Sequence, residues 1–364
     1  MSRHTRPMRR RPALIFLLAL IAGIIIIPAL RLGWEWKSAL DDVNAMIVEP
    51  RVLPTVLPNA ATTVAVEATV QAGGESDIVP TLALPLPTAI PELEDPVNIL
   101  LLGTDARPGE TVSRTDAIIL MHLNPRENRV SMLSVPRDLW VDIPGYGHNK
   151  INAAYAIGEQ RIGIGYGPAL VKETVSQLVG VPVHHFVLIN FDGFEKVVDT
   201  LGGISIDVPR EIVDPRYPVD EYAGDTRTMR VSFAAGPQDM DGHTALIYAR
   251  TRHADSDFGR NQRQQQVLLA IFNRIRDQGL LSQITRIDDY TNALRDYIRT
   301  DIPRSQMVRL ARVGTRLDAA NIQRYAIDSK MIVVLDDPNR FAADPIAVRQ
   351  IVDQMTAGGV PPIP

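Results

Sequence analysis

VNILLLGTDARPGETVSRTDAIILMHLNPRENRVSMLSVPRD, running from Val97 to Asp138, is the stretch that decides the fold class. It holds three short apolar runs, Val97 to Gly103, Ala117 to Leu123 and Arg129 to Pro136, bounded by turn residues. Each predicts an internal strand, and NPREN with Pro125 predicts a hairpin-like turn between the last two. HHFVLIN, His184 to Asn190, predicts a fourth strand, and Gly202-Gly203 in LGGISIDV a turn from helix to strand. Helical periods run through Tyr166 to Val179, Phe191 to Leu201, Gly242 to Ala249 and Arg260 to Gln278, with Asp241 placed to cap the third. Further helices are expected over Ser282 to Val313 and Asp344 to Met355. Strands interleaved with helices predict an α/β fold: one three-layer α/β/α domain with a mixed central sheet, over residues 96–356, with 357–364 as a tail.

Charged residues gather where these strands end. Asp105 and Arg107 follow the first in GTDAR, and Arg114, Thr115 and Asp116 lead into the second. Arg137 and Asp138 follow the third, and Lys150 lies beyond the glycine-rich turn IPGYG. Open α/β sheets bind ligands in loops at strand ends. Carboxylates arriving from two loops suit a hard divalent cation such as Mg²⁺, which needs few protein carboxylates and leaves room for phosphate oxygens. Each residue also has a purely structural reading: Asp105 as a turn cap, Asp116 paired with Arg114, Arg137 paired with Asp138.

A second cluster lies in YARTRHADSDFGRNQRQQQ. Arg250, Arg252, Arg260 and Arg263 fall within it, in a chain whose formal net charge is -4. So local a cluster on a mildly acidic protein suits one compact multivalent anion, and the guanidinium fork matches phosphate oxygens. Arg260, Arg263, Gln264 and Val267 share one helical face, and Gln264 to Gln266 add neutral donors. The competing reading is a solvated helix surface.

The N-terminus differs in kind. Arg3, Arg6, Arg9, Arg10 and Arg11 precede an apolar run, Ala13 to Leu30, of about 18 uncharged residues, long enough to span a bilayer. Trp34 and Trp36 follow at the position of an interfacial belt. The expected order is a cytoplasmic basic segment (1–12), a single transmembrane anchor (13–33) and an extracytoplasmic Pro-rich stalk (34–95), with the folded domain outside the cell. A cleaved signal peptide is the alternative.

Other chemistries are excluded or weakened. With no cysteine there is no disulfide, thiolate metal site or cysteine nucleophile. No G-x-S-x-G, Walker loop or H-E-x-x-H is present. His184-His185 lacks a third ligand at zinc spacing. Net negative charge and arginines without interleaved aromatics argue against nucleic acid.

The motifs NILLLGTDAR, RTDAIIL, VSMLSVPRDLWVDIPGYGHNKINAAYA, NFDGFEKVVDTLGGISIDV, DGHTALIYARTR and DFGRNQRQQ, in that order, resemble the LytR–CpsA–Psr family of membrane-anchored envelope enzymes. The resemblance covers about Pro96 to Gln278. It implies a phosphotransferase moving a glycopolymer from a polyprenyl-diphosphate carrier to a peptidoglycan hydroxyl. It implies Mg²⁺, or Mn²⁺, on Asp105 and Asp116. It places Arg114, Arg137, Lys150, Arg250, Arg252, Arg260 and Gln264 around the diphosphate, with Arg107 and Arg263 at matching motif positions. Ala117 and Ile119 depart from common family residues without touching the chemistry. A polyprenyl-diphosphate hydrolase using water, and a non-catalytic envelope regulator or binding module, are the other functions in play.

Overall fold

The computed structural model describes residues 43–51, 53, 92–105, 114–219, 227–252, 255, 257–277, 294–314, 316–317, 319–337 and 339–357. The expected anchor, most of the Pro-rich stretch and Arg107 lie outside these. Among the described residues no helix is long and apolar enough to cross a membrane.

The three runs of the opening stretch are strands β1 (Val97–Thr104), β2 (Thr115–Asn124) and β3 (Arg129–Ser134). A small hairpin follows, β4 (Trp140–Ile143) with β5 (Gly147–Lys150), and then β6 (His185–Asn190). Next come β7 (Ile204–Val208), β8 (Ile212–Pro218), β9 (Thr228–Phe233) and β10 (Gly236–Met240). Of these, β7 pairs with β10 and β8 with β9. Short strands β11 (Ile298–Thr300) and β12 (Ile322–Ala326) complete a six-stranded sheet of order β11-β6-β1-β2-β3-β12. It is mixed: β1 runs parallel to β6 and antiparallel to β2, and β12 runs parallel to β3.

Helices cover both faces. They are α1 (Ala153–Ile157), α2 (Gly167–Val179), α3 (Phe191–Thr200), α4 (Gly242–Arg250), α5 (Asp257–Asp277), α6 (Arg304–Gly314) and α7 (Pro345–Ala357). Successive side chains of a strand point to opposite faces. Val97 and Ile99 of β1 therefore join a core with Val197 of α3, Tyr248 of α4, Ile271 of α5 and Leu310 of α6. Leu100 and Leu102 join the other, with Val171 of α2 and Val352 of α7. Two cores on one sheet make the three layers that the interleaved pattern predicts.

Two expectations are corrected. Helix was expected throughout Ser282 to Val313, but Ile298–Thr300 is an edge strand on β6. Asp301 next to it accepts the Phe186 backbone N–H at 2.7 Å and Lys172 Nζ at 2.6 Å, so the strand end is tied down by side chains rather than by length. Nor is the stretch 34–95 a stalk throughout. Val43 and Met46 are buried in the first core and Val48 and Leu53 pack on the second. Ile47 bridges to Thr300 on the free edge of β11. The rest of that stretch, residues 54–91, lies outside the described residues.

Candidate functional site

The site begins with a break in strand register. β1 and β2 pair in step from Val97↔Leu123 to Gly103↔Ala117 and then jump to Thr104↔Thr115. Asp116 is the extra residue, a β-bulge, and bulges re-aim side chains out of the regular alternation. Its carboxylate accepts from Arg137 Nη1, brought to the same end of the sheet just after β3. Arg137 Nε lies 3.4 Å from Asp138, and Asp138 accepts from Lys150 Nζ at 2.9 Å. Arg137 therefore pairs with both Asp116 and Asp138, rather than with Asp138 alone.

Helices α4 and α5 supply the opposite wall. Asp241 caps α4, accepting the Thr244 N–H at 2.8 Å, as the sequence predicts. This fixes the helix whose last residue is Arg250. Arg250 stacks on the Phe191 ring at 4.2 Å and donates to the Tyr217 hydroxyl at 3.2 Å. Arg260 of α5 is 4% exposed and pairs with Asp257 at 2.9 Å. The Nε atoms of Arg137 and Arg260 are buried without a hydrogen-bond partner.

These groups open onto one cleft of about 340 Å³ between the sheet and the α3–α5 layer. Asp116, Arg137, Arg250, Arg252, Arg260 and Gln264 line it at the polar end. Ile119, Val187, Phe194, Leu246, Val267 and Ile271 line its apolar remainder. Protein interiors seldom keep a void larger than a water molecule, so an apolar cavity in the core layer signals a ligand. The electrostatics fit an anion at its mouth. Burial, then the neighbouring charge of Arg137, holds the Arg260 guanidinium below the usual arginine range. Burial works the same way on Arg137, but the Asp116 carboxylate outweighs it and raises Arg137 above that range. Burial also opposes the Asp138 carboxylate, yet the Lys150 hydrogen bond and Arg137 hold it below its ordinary value. An incoming anion would relieve the repulsion between Arg137 and Arg260.

Other candidates lie elsewhere. Asp105 and Arg114 are exposed beside the bulge, Asp105 directly after β1 and Arg114 directly before β2. Lys150 sits on β5, held by Asp138. Arg263, expected at the diphosphate, is turned away from the cleft. Its guanidinium grips both Asp255 oxygens, at 2.7 and 3.1 Å, and donates to the carbonyls of Tyr248 and Thr251. It fastens α5 to the end of α4 and so frames the site rather than entering it. Gln265 and Gln266 are structural too: Gln265 donates to Ser134 and Tyr325, and Gln266 accepts from Tyr248. His184 accepts the Asn98 N–H at 2.9 Å and His185 faces Asp301, so the histidine pair serves the sheet edge.

Removing Arg263 takes away a buried guanidinium that ties the Tyr248 and Thr251 carbonyls to Asp255, which keeps Arg210 at 3.2 Å as a second cation. Arg263→Ala is therefore expected to cost about 1–3 kcal/mol of folding stability, read from denaturant midpoints. An unchanged midpoint would remove Arg263 from this framing role.

Sequence reasoning missed the strap over the arginines. Asp214 and Tyr217 of β8 line the cleft, at 1% and 2% exposure. Asp214 accepts the backbone N–H of Arg252 at 3.2 Å and of Arg216 at 2.9 Å. The segment DPRY reads as a loop because of Pro215, and a register shift between Asp214 and Tyr217 removes the strand alternation that would have exposed it.

Residues 58–356 match the LytR_cpsA_psr family. The chain belongs to that family. Among curated LytR_cpsA_psr relatives, it is 35% identical over 219 residues to polyisoprenyl-teichoic acid–peptidoglycan teichoic acid transferase TagU of Oceanobacillus iheyensis. It is 37% identical over 213 residues to the corresponding transferase TagT of Bacillus subtilis. Those matches take in 60% and 57% of this chain but 62% and 61% of the relatives' lengths, so the chain spans less than two thirds of either. A solved structure of TagT bound to LI-WTA superposes with TM-score 0.54 at 26% identity, over 72% of this chain and 92% of the other. The likeness to this LytR_cpsA_psr structure agrees with the mixed sheet and its helical layers.

Proposed function

We propose that this protein is a membrane-anchored, extracytoplasmic phosphotransferase that moves a glycopolymer from a polyprenyl-diphosphate carrier to peptidoglycan. The observation that carries this reading is the cleft itself: an apolar gallery inside the core layer ending in a ring of arginines. A polyprenyl chain needs the first and a diphosphate the second. The names of the TagU and TagT relatives, each a transferase from a polyisoprenyl carrier to peptidoglycan, support the same reading.

In the transfer, an acceptor hydroxyl oxygen attacks the phosphorus that bears the glycan. The new O–P bond forms as the P–O bond to the lipid phosphate breaks, the lipid monophosphate leaves, and the hydroxyl proton is lost. Such a reaction needs charge neutralised on the transferring and leaving oxygens. Arg137, Arg250, Arg252 and Arg260 would do this, with Gln264 as a neutral donor. Asp116 and Asp105 offer hard oxygen ligands at one strand end. A hard divalent cation can take two carboxylates and complete its shell from phosphate and water. Bound there, Mg²⁺ or Mn²⁺ would supply further charge neutralisation.

The test uses the full chain in lipid discs, given a polyprenyl-diphosphate-linked glycan and peptidoglycan oligomers, with products identified by mass. A glycan joined to peptidoglycan through phosphate is the expected product. Free glycan phosphate alone would mark a hydrolase, and no turnover a binding or regulatory module.

The anchor is the second part of the proposal: Ala13 to Leu30 spans the membrane with the arginine-rich start inside. A reporter active only in the cytoplasm, fused after Pro364, is expected to stay silent. Strong activity there would reverse the orientation.

A further inference from the structure

The edge of the sheet farthest from β12 has features that the transfer reaction does not use. Residues 43–51 dock beside β11, with Val48 donating its N–H to the Thr300 carbonyl at 2.8 Å. Only twelve residues, 31–42, separate this docked segment from the apolar run ending at Leu30. They would span about 18 Å as helix and at most about 43 Å fully extended. The Pro-rich residues come after Leu53 and add nothing to that reach. If Ala13 to Leu30 is the anchor, as proposed above, the domain is held close to the bilayer by this edge.

A rigid loop stands beside the docked segment. Glu159, 6% exposed, accepts the N–H of Gly165 at 2.9 Å and of Gly167 at 3.0 Å. Gly165 has φ 90°, a conformation that disfavours any side chain. The braced loop holds Ile164 out at 69% exposure. A side chain placed on Gly165 would meet Arg299 Nη2 at 3.7 Å and Arg51 Nε at 3.8 Å, so two guanidinium groups from separate segments converge on one point. Arg51 also lies over the Tyr166 ring at 5.5 Å. Among the described residues, neither arginine is ion-paired with a carboxylate. The exposed charges of Arg161 and Glu49, on the same two stretches, offset each other, and the converging pair exceeds the one buried carboxylate of the loop, Glu159, by a single positive charge.

We propose that this edge lies on the membrane surface, where Arg51 and Arg299 grip the phosphate of an anionic phospholipid headgroup and Ile164 dips into the interface. A headgroup supplies both things this patch lacks: a compact anion for the two forks and apolar surroundings for an exposed isoleucine on a loop too braced to fold it away. The tether's short reach favours a lipid over a soluble anion. The apolar end of the transfer cleft includes Val187 and Ile189 of β6 and Ile298 of β11, so the docked edge also faces the carrier lipid toward its pocket.

The chain has no cysteine, so Ile164→Cys gives a single attachment point for an environment-sensitive fluorophore. The full labelled chain is placed in discs of phosphatidylcholine, or of phosphatidylcholine with phosphatidylglycerol, each carrying a brominated-lipid quencher. Blue-shifted, quenched emission is expected in the phosphatidylglycerol discs. Arg51→Ala and Arg299→Ala, each checked for an unchanged unfolding midpoint, are each expected to weaken that docking about fivefold. A label that stays water-exposed in both discs overturns the proposal, as does quenching that survives loss of both arginines. Equal loss of quenching on adding inorganic phosphate or the same ionic strength of chloride supports the lipid. Loss specific to phosphate would assign the pair to a free anion and overturn it. A chain that does not enter discs at all overturns the anchor itself, a failure distinct from the others.

Discussion

Asp116→Ala is expected to slow transfer from a polyprenyl-diphosphate donor about a hundred- to a thousandfold while barely moving the unfolding midpoint. The kinetic loss follows from position. Asp116 is the residue that the β1–β2 bulge ejects from the strand alternation, and it lines the polar end of the cleft. The small stability change follows from exposure. Its side chain is 26% exposed, and a pair this open contributes about 0–1 kcal/mol at most. Asp116 also neutralises Arg137, which separates two roles. If it served only to hold Arg137, its removal would leave that guanidinium with Asp138 alone and strengthen diphosphate binding without slowing turnover. If it holds a divalent cation at the diphosphate, binding of a diphosphate analogue without metal tightens, yet kcat falls and added Mg²⁺ fails to restore it. Asp116→Asn keeps the shape and is expected to behave as the alanine does, and Asp105→Ala to lose metal dependence in the same way. Wild-type turnover in both Asp116 variants would end the metal assignment.

What was legible in the sequence follows from what each signal needs. β1, β2, β3 and β6 were legible because each is buried on both faces, and an apolar run records that directly. The site arginines on α4 and α5 were legible as a cluster because helices bring i, i+4 and i+7 residues together, as with Arg260, Gln264 and Val267. The same reasoning put Arg263 on that face, but one position round the helix was enough to turn it to Asp255. Both arginines have a carboxylate partner, Asp257 for Arg260 and Asp255 for Arg263, and no helical wheel shows which of the two pairs faces the cleft. β11 and β12 were missed because edge strands of three and five residues carry too few side chains for a period. Asp214 and Tyr217 were missed because their contacts come from strand pairing across a bulge. The docking of Val43 to Leu53 was hidden by composition: prolines within and just after it, Pro50, Pro54 and Pro58, read as a spacer, whereas its burial depends on the free edge of a strand some 250 residues later.

Arg250→Lys is expected to lower kcat/KM roughly ten- to more than a hundredfold, the equivalent of losing one charge-assisted contact worth about 1.5–3 kcal/mol. Lysine keeps the charge, so a site needing only a positive potential would tolerate it. The geometry of Arg250 asks for more. Its guanidinium lies on Phe191 at 4.2 Å, one nitrogen is tied to the Tyr217 hydroxyl, and the residue lines the cleft. An ammonium group can neither stack in that slot nor present two parallel donors to a phosphate. The two supports can be tested apart from the fork. Tyr217→Phe keeps the ring and removes the acceptor, so it should raise KM for the donor more than it lowers kcat, because Arg250 remains but is less well aimed. Arg252→Lys should fall with Arg250→Lys, since its backbone is pinned by Asp214 while its side chain reaches the same mouth. Arg349, exposed on α7 in the opposite helical layer, is the control, and Arg349→Lys should stay near wild type. Steady-state turnover of a polyprenyl-diphosphate analogue, with folding checked for each variant, decides the matter. Equal activity in Arg250→Lys, Arg252→Lys and Arg349→Lys would mean that the arginines form a solvated rim and that the diphosphate is held elsewhere.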